Sequence, residues 1–166
     1  MTKANDAWLP EGYTTPVERS AFMKFQDGEN NMRILSPLTT GYEYWTEDNK
    51  PVRSKEQFKD VPADIRKDDE GKPTKVKFFW YFLVYNFADK QVQALEVTQS
   101  SIQKAITALV ENEKWGNPSS YDITVTKTGK GLETRYAVVP NPHSEITPEI
   151  QSELDSTDIV LDEIFN

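Results

Sequence analysis

The chain has 166 residues, 37% of them hydrophobic, 28% charged and 11% aromatic, with a formal net charge of −8. It has no cysteine and one histidine, His143, which excludes disulfide frameworks, thiolate-held zinc, cysteine nucleophiles and histidine-based triads. The length suits one domain with appendages. No apolar run approaches the ~18 residues of a membrane span, and the first six residues lack the apolar stretch of a secretory signal. An intracellular soluble protein with no membrane association is therefore expected.

The charge is unevenly placed. Residues 144–166 carry seven acids (Glu145, Glu149, Glu153, Asp155, Asp158, Asp162, Glu163) and no Lys or Arg, which leaves 20 acids against 19 bases in the rest. A nearly neutral body with an acidic end differs from a uniformly acidic protein. Within the body, nine basic residues fall between Lys50 and Lys77: Lys50, Arg53, Lys55, Lys59, Arg66, Lys67, Lys72, Lys75 and Lys77.

Residues 1–20, with Pro10, Gly12 and Pro16, read as an N-terminal arm. Residues 22–25 and 32–35 around the turn Asp27-Gly28-Glu29-Asn30 predict strand, turn, strand. After Pro37, residues 41–45 form a short aromatic strand with Tyr42 and Tyr44 on one face. Residues 47–75 are a long polar connection punctuated by Pro51, Pro62, Gly71 and Pro73. A connection of that length inside a compact domain is usually functional or mobile.

Residues 76–87, Val-Lys-Phe-Phe-Trp-Tyr-Phe-Leu-Val-Tyr-Asn-Phe, demand a strand. A tight turn at 88–90 returns the chain into a strand over 91–97, which makes a hairpin. Thr98 is the expected N-cap of a helix over 99–113, whose Ile102, Ala105, Ile106, Leu109 and Val110 make one apolar stripe. Trp115-Gly116-Asn117-Pro118 ends it. Strands over 121–127 and 133–139 follow, joined by a turn at 128–131, and Pro140 and Pro142 close the domain. A short helix is expected over 146–154 and a free tail over 155–166.

This order predicts a mainly β fold: an OB-fold five-stranded barrel with one helix between strands 3 and 4, followed by a flexible acidic C-terminal tail. The first barrel strand would run from about Arg33 to Trp45 with a bend at Pro37, and 47–75 would be the loop after it. The domain division is arm 1–20, barrel 21–143 and acidic segment 144–166. Another small β-barrel or an α+β sheet is the alternative.

Strand 76–87 has aromatics on both faces. Phe78, Trp80, Phe82 and Val84 form a wholly apolar face that fits a core. Phe79, Tyr81, Leu83, Tyr85 and Phe87 form the other, whose tyrosines tolerate water and assign it to the outside. Periodicity alone leaves open which face is wet. A solvent-side row of rings wants a ligand. Bases stacked on rings need no particular sequence, and phosphates need Lys and Arg beside them. Tyr42, Tyr44, Phe79, Tyr81 and Tyr85 would supply the platform. Arg53, Lys55, Arg66, Lys72, Lys75 and Lys77 would supply the basic rim. Together they meet the requirements of a sequence-tolerant single-strand binder.

Catalysis has little support. His143 reads as a surface residue between prolines. Asp68-Asp69-Glu70 are adjacent side chains that do not converge on a metal without a scaffold, so no metal or other cofactor is expected, and a metal-dependent nuclease ranks low. Residues 128–131 lack the spacing of a phosphate loop. In the tail, Asp158, Leu161, Asp162, Glu163, Ile164 and Phe165 alternate acids with apolar anchors. Such a peptide suits basic, hydrophobic pockets on partner proteins, or folds back on the chain's own cationic groove and competes with DNA. A disordered solubilising tail is the plainer reading.

Four ordered blocks resemble the single-stranded DNA-binding (helix-destabilising) replication proteins of tailed phages. They are residues 27–35 (Asp-Gly-Glu-Asn-Asn-Met-Arg-Ile-Leu), 41–53 (Gly-Tyr-Glu-Tyr-Trp-Thr-Glu-Asp-Asn-Lys-Pro-Val-Arg), 79–86 (Phe-Trp-Tyr-Phe-Leu-Val-Tyr-Asn), and the helix from Gln99 through Trp115-Gly116. The resemblance implies an OB fold that coats single-stranded DNA in replication, recombination and repair within an infected bacterial cell. Its tail would recruit replication or recombination proteins, and self-association on DNA is compatible with it. The best-known branch holds a structural zinc in the region corresponding to 47–75. This chain has no residues for one, so no zinc is expected. That branch also has a basic N-terminal arm, whereas residues 1–18 here contain Lys3 as their one basic residue. The rival reading is a protein-interaction module of the replication or recombination machinery that does not itself bind DNA.

Overall fold

A computed structural model describes residues 8–13 and 20–166. Most of the arm expected over 1–20 lies outside the described residues. Among them are seven strands in one antiparallel sheet: β1 (Gly28–Ile34), β2 (Thr39–Trp45), β3 (Pro51–Ser54), β4 (Lys77–Asn86), β5 (Gln91–Val97), β6 (Tyr121–Thr128) and β7 (Arg135–His143). Helix α1 (Ser100–Glu111) lies between β5 and β6, and α2 (Pro148–Ser156) follows β7. The sheet path is β3-β2-β4-β1-β6-β7, with β5 on the other edge of β4. The fold is mainly β, and its described sheet is open.

The long strand β4 organises the sheet. Its 84–86 end pairs with β1, its 77–81 end pairs with β2, and β5 runs along its opposite edge from Asn86↔Gln91 to Trp80↔Val97. β1 and β2 thus line the same edge of β4 in succession. The bend between them carries Ser36, whose Oγ accepts the Leu83 N–H at 2.8 Å, and Pro37. What reads as one bent strand in the sequence is therefore two.

Three local expectations change. Residues 22–25 do not form a strand beside 32–35. Instead Phe22 makes a parallel bridge to Ala94 on the free edge of β5, with Met23 N–H donating to Ala94 O at 2.9 Å. Met23 then enters the core, and Phe25 packs on Tyr136 of β7 with ring centroids 5.7 Å apart. The helix starts at Ser100 after Gln99, with no side-chain cap, so Thr98 is not the N-cap. β7 runs through Pro140 and Pro142 to His143. It is an edge strand, where a missing N–H costs no ladder bond.

One core holds Met32, Ile34, Phe82, Val84, Leu95 and Val97 against Ile102 and Ile106 of α1 and Ile123 and Val125 of β6. Arg33 is buried at its border. Its Nε donates to Asp122 Oδ1 at 2.6 Å and its Nη1 to the carbonyls of Ser119 and Ser144, which ties β1 to β6 and to the chain after β7. A second apolar cluster lies on the opposite face of β4 and β5.

Candidate nucleic-acid interface

That second cluster is the expected ring row. Phe79, Tyr81 and Tyr85 are present on one face of β4, but they are 0%, 6% and 3% exposed. The outward assignment of these rings is corrected. They are covered by the C-terminal segment, with Ile150 and Leu154 of α2 at one end and Ile159, Leu161, Ile164 and Phe165 at the other. α2 is capped by Thr147, whose Oγ1 accepts the Ile150 N–H at 3.3 Å, with Pro148 at its first turn. A 3₁₀ turn, Leu161–Phe165, ends the segment. The free tail expected over 155–166 is therefore docked. The physical reason is its apolar content, which solubility does not require and which covers the apolar face of β4 and β5.

Phe165 enters a specific seat. Its ring lies over Phe79 at 6.0 Å between centroids, tilted by 34°. Gly41, opposite Phe79 in the β2–β4 register, forms the floor, and a Cβ there would lie 2.6 Å from the Phe79 ring and 2.8 Å from that of Phe165. Lys55 Nζ stands 5.3 Å from the Phe165 centroid and 4.0 Å from Asp162 Oδ1. Asp158 and Glu163 line, with Arg53, Tyr81 and Glu96, a neighbouring cleft of about 560 Å³. The hydrogen bonds of the last residues are local, Glu163 N–H to Val160 O and Asn166 N–H to Glu163 O. Among the described residues, apolar contact and the Lys55–Asp162 pair hold them to the sheet.

The cations divide into engaged and free. Arg53, expected on a phosphate, is clamped by two carboxylates: Nε to Glu43 Oε2 at 3.0 Å and Nη2 to Glu96 Oε2 at 3.3 Å. Burial and the nearby Glu43 push the Glu96 carboxyl up to about 7, and Arg53 offsets this in part. Sequence reasoning missed Glu43 and Glu96. Their signal was the alternation that sets Glu43 on the face of Gly41, directly opposite Arg53. Arg66 Nη1 bonds Asn49 Oδ1 at 3.3 Å, Lys67 pairs with Glu47 at 2.9 Å, and Lys72 pairs with Glu70 at 3.6 Å. Asp68 Oδ1 accepts the N–H groups of Glu70 and Lys72, a turn-making role. Lys75 and Lys77 are exposed and in no ion pair among the described residues.

Two tyrosines leave the expected platform. Tyr44 is buried with its Oη 2.8 Å from Asp64 Oδ1 and its ring edge-on to Phe58, so it anchors the loop after β3. Burial and Asp64 raise its phenol above the usual range. Tyr42 points away from the covered row and pairs with Phe78. Phe78, expected in the core, is 39% exposed, and Trp80 is half-buried. His143 is exposed and stacked on Trp115, with its Nε2 2.9 Å from Trp115 O.

The arrangement offers two surfaces for flat ligands: a covered row rimmed by Lys55 and Arg53, and the open ring pair of Tyr42 and Phe78. No helix among the described residues is long and apolar enough to cross a membrane. No family model and no solved structure matches the chain. It is 27% identical over 142 residues to a protein of Escherichia phage T5 named probable ssDNA-binding protein. The alignment covers 73% of this chain and 55% of that protein, so the chain spans about half the length of this curated relative. The chain is thus similar to a phage protein whose name points to single-stranded DNA binding.

Proposed function

We propose that the protein binds single-stranded DNA without reading its sequence, as a non-enzymatic coating protein of phage DNA replication, recombination and repair in the infected cell. One observation carries this reading. The aromatic row of β4 is occupied by a segment of the same chain that presents a ring to Phe79 and a carboxylate to Lys55. A stacked base and its phosphate would need those same two groups. The T5 relative's name supports the choice of single-stranded DNA as the ligand.

Topology supports an OB-type barrel. Taking β1 and β2 as one bent strand leaves β4, β5, β6 and β7 as the other four, with α1 after the third, which is the OB order. β3 and the loop to β4 are then an insertion after the first strand. Residues 21–25 lie between β5 and β7, where closure would occur.

In this reading Phe79, Tyr81 and Tyr85 stack bases once the C-terminal segment lifts, and Lys55, Lys75 and Lys77 hold phosphates. Arg53 contributes after exchanging a carboxylate for a phosphate. The released segment, with Asp158, Leu161, Asp162, Glu163, Ile164 and Phe165, is then free to be taken up by other replication or recombination proteins.

The test is a titration of oligo-dT, single- and double-stranded, followed by Trp and Tyr emission at two salt concentrations. Quenching by the single strand, weakening steeply with salt, is expected. A chain that responds to neither strand form is an interaction module instead, and the reading fails.

A further inference from the structure

The guanidinium of Arg53 is held along one edge by two different carboxylates. Its Nε donates to Glu43 Oε2 at 3.0 Å and its Nη2 to Glu96 Oε2 at 3.3 Å. Nε and Nη2 form the side of an arginine that makes two parallel hydrogen bonds to a single carboxylate or phosphate. Here that side is divided between acids from strands that are not neighbours. Glu43 on β2 stands across the ladder from Arg53, and Glu96 on β5 stands across from Tyr81 of β4. Two carboxylates brought onto one edge also meet each other, and a hydrogen bond joins Glu96 to Glu43. Such a bond needs a proton between the two groups, because bare carboxylates at that range only repel.

The surroundings add to the negative charge. Glu43 is buried, and Glu96 opens on the cleft of about 560 Å³ that Asp158 and Glu163 of the C-terminal segment also line. The other titratable groups set around the pair are Tyr81, which lines the same cleft, and Lys77, across the ladder from Glu43. Lys55, two residues beyond Arg53, is drawn to Asp162, and Ala21 and Phe22 bring no charge to the cleft. Burial and Glu43 raise the Glu96 carboxyl to about 7, with Arg53 pulling it down in part. The two acids titrate as a unit.

We propose that Arg53 is a proton-gated phosphate site: a backbone phosphate of single-stranded DNA takes the two-donor edge, and the displaced Glu43–Glu96 pair takes a proton from solvent as it does so. The proposal rests on the single-strand reading above and adds a regulator to it. Separation from Arg53 removes the cation that lowers the pair's proton affinity, and the arriving phosphate raises that affinity further. Asp158 and Glu163 leave with the lifted segment, which works the other way, but they stand across a cleft whereas the phosphate lies on the guanidinium itself. Below about pH 7 Glu96 already holds its proton, and the edge is given up without stranding a charge. Above it, each phosphate seated at Arg53 brings a proton in or faces two carboxylates, so affinity falls as pH rises.

The experiment is titration of the full chain with unlabelled oligo-dT at constant salt from about pH 6 to 8.5, read by Trp and Tyr emission. Calorimetry in Pipes and in Tris, whose ionisation enthalpies differ, counts the protons. The expected affinity is nearly flat up to about pH 6.5 and about tenfold weaker at pH 8.5, with an uptake of roughly 0.5–1 proton near pH 8. Glu96→Gln should remove both the fall and the uptake, and bind about tenfold tighter than wild type at pH 8.5. Arg53→Gln should bind about fivefold more weakly than wild type at pH 6.5 and take up no proton.

A folded Glu96→Gln variant with the wild-type pH dependence overturns the site, while binding of oligo-dT still upholds the single-strand reading. Wild-type uptake below about 0.2 proton near pH 8 does the same, and decides the matter alone if the variants do not fold. A wild type that ignores oligo-dT at every pH sinks the single-strand reading and the gated site with it.

Discussion

Replacing Phe165 by alanine should tighten binding to single-stranded DNA. The half-buried ring loses about half the ~1.5–3 kcal/mol of a fully buried aromatic side chain, plus a ring–ring contact worth about 0.5 kcal/mol. The Phe79 contact and the Gly41 floor are what it leaves behind. The closed arrangement is therefore weakened by roughly 1.3–2 kcal/mol, about an 8- to 30-fold shift toward the open one. When closure dominates, apparent affinity scales with the open fraction, so the dissociation constant for oligo-dT should fall about tenfold. Fluorescence anisotropy of labelled oligo-dT at fixed salt measures it, and a thermal melt confirms that the sheet persists. Equal or weaker binding by a folded variant would refute the idea that Phe165 occupies a base position. Lys55→Gln provides a cross-check, because it removes a contact from cover and DNA alike and should change affinity far less than Phe165→Ala.

Other consequences follow from single contacts. Asp162→Asn removes the exposed 4.0 Å pair with Lys55 and should tighten binding by about twofold at low salt and not at all above ~0.3 M, as screening dictates; a salt-independent gain would contradict this. Gly41→Ala sets a Cβ 2.6 Å from Phe79 and 2.8 Å from Phe165. It should cost about 1–3 kcal/mol in chemical denaturation and yet tighten DNA binding by displacing Phe165. Loss of both stability and affinity would show that the seat is not a cover. Glu96, raised from 4.5 to about 7, holds a proton in the folded state that the unfolded chain has released. Stability should therefore fall as pH rises from about 4.5 through 7 and level off above it. Glu96→Gln should add about 1–2 kcal/mol at pH 8 and nothing below pH 4.5. The side chain keeps 28% of its surface in water, so this is below the ~3.4 kcal/mol of a fully buried group. A pH-independent gain in urea titrations would reject it. Arg33→Ala leaves Asp122 without its partner and opens a buried site. A loss of about 3–5 kcal/mol is expected, and one below 1 kcal/mol would mean that the network is dispensable.

Strand order and the helix were legible because their signals are local. Ten residues of β-branched and aromatic character can only be a strand, and the 3.6-residue stripe of α1 has Ile102 and Ile106 buried on it. β3 was not legible, since four residues beginning with a proline inside a polar stretch carry no period. The parallel bridge of Phe22 to Ala94 spans about seventy residues, and no local pattern encodes it. Pro140 and Pro142 signalled the end of a strand, but an edge position let β7 run through them to His143. In the candidate site, residue types were read correctly and pairings were not. Arg53 looked free because its two carboxylates come from β2 and β5, and Tyr44 looked like a platform because Asp64 lies twenty residues away.

The inversion of the two faces of β4 has the same origin. Period two sorts residues into faces but says nothing about what covers them. The tyrosines do not meet water, because α2 and the last residues lie on their face. What covers them begins more than sixty residues downstream, and its signal was compositional: five apolar side chains, Ile159, Val160, Leu161, Ile164 and Phe165, in a segment otherwise acidic. Burial alone therefore does not separate core from cover; the manner of attachment does. Phe82 and Val84 are enclosed by strands and a helix whose backbone groups are bonded throughout, so exposing them requires unfolding. Among the described residues, Phe79 and Tyr81 are enclosed by the last residues of the chain, whose backbone hydrogen bonds are local and whose ion pair with Lys55 is exposed. Lifting that segment forfeits a few apolar contacts and no ladder bond, an opening of the low-cost kind. A ligand offering rings and negative charge in the same places can compensate for those contacts, as no solvent can for the core.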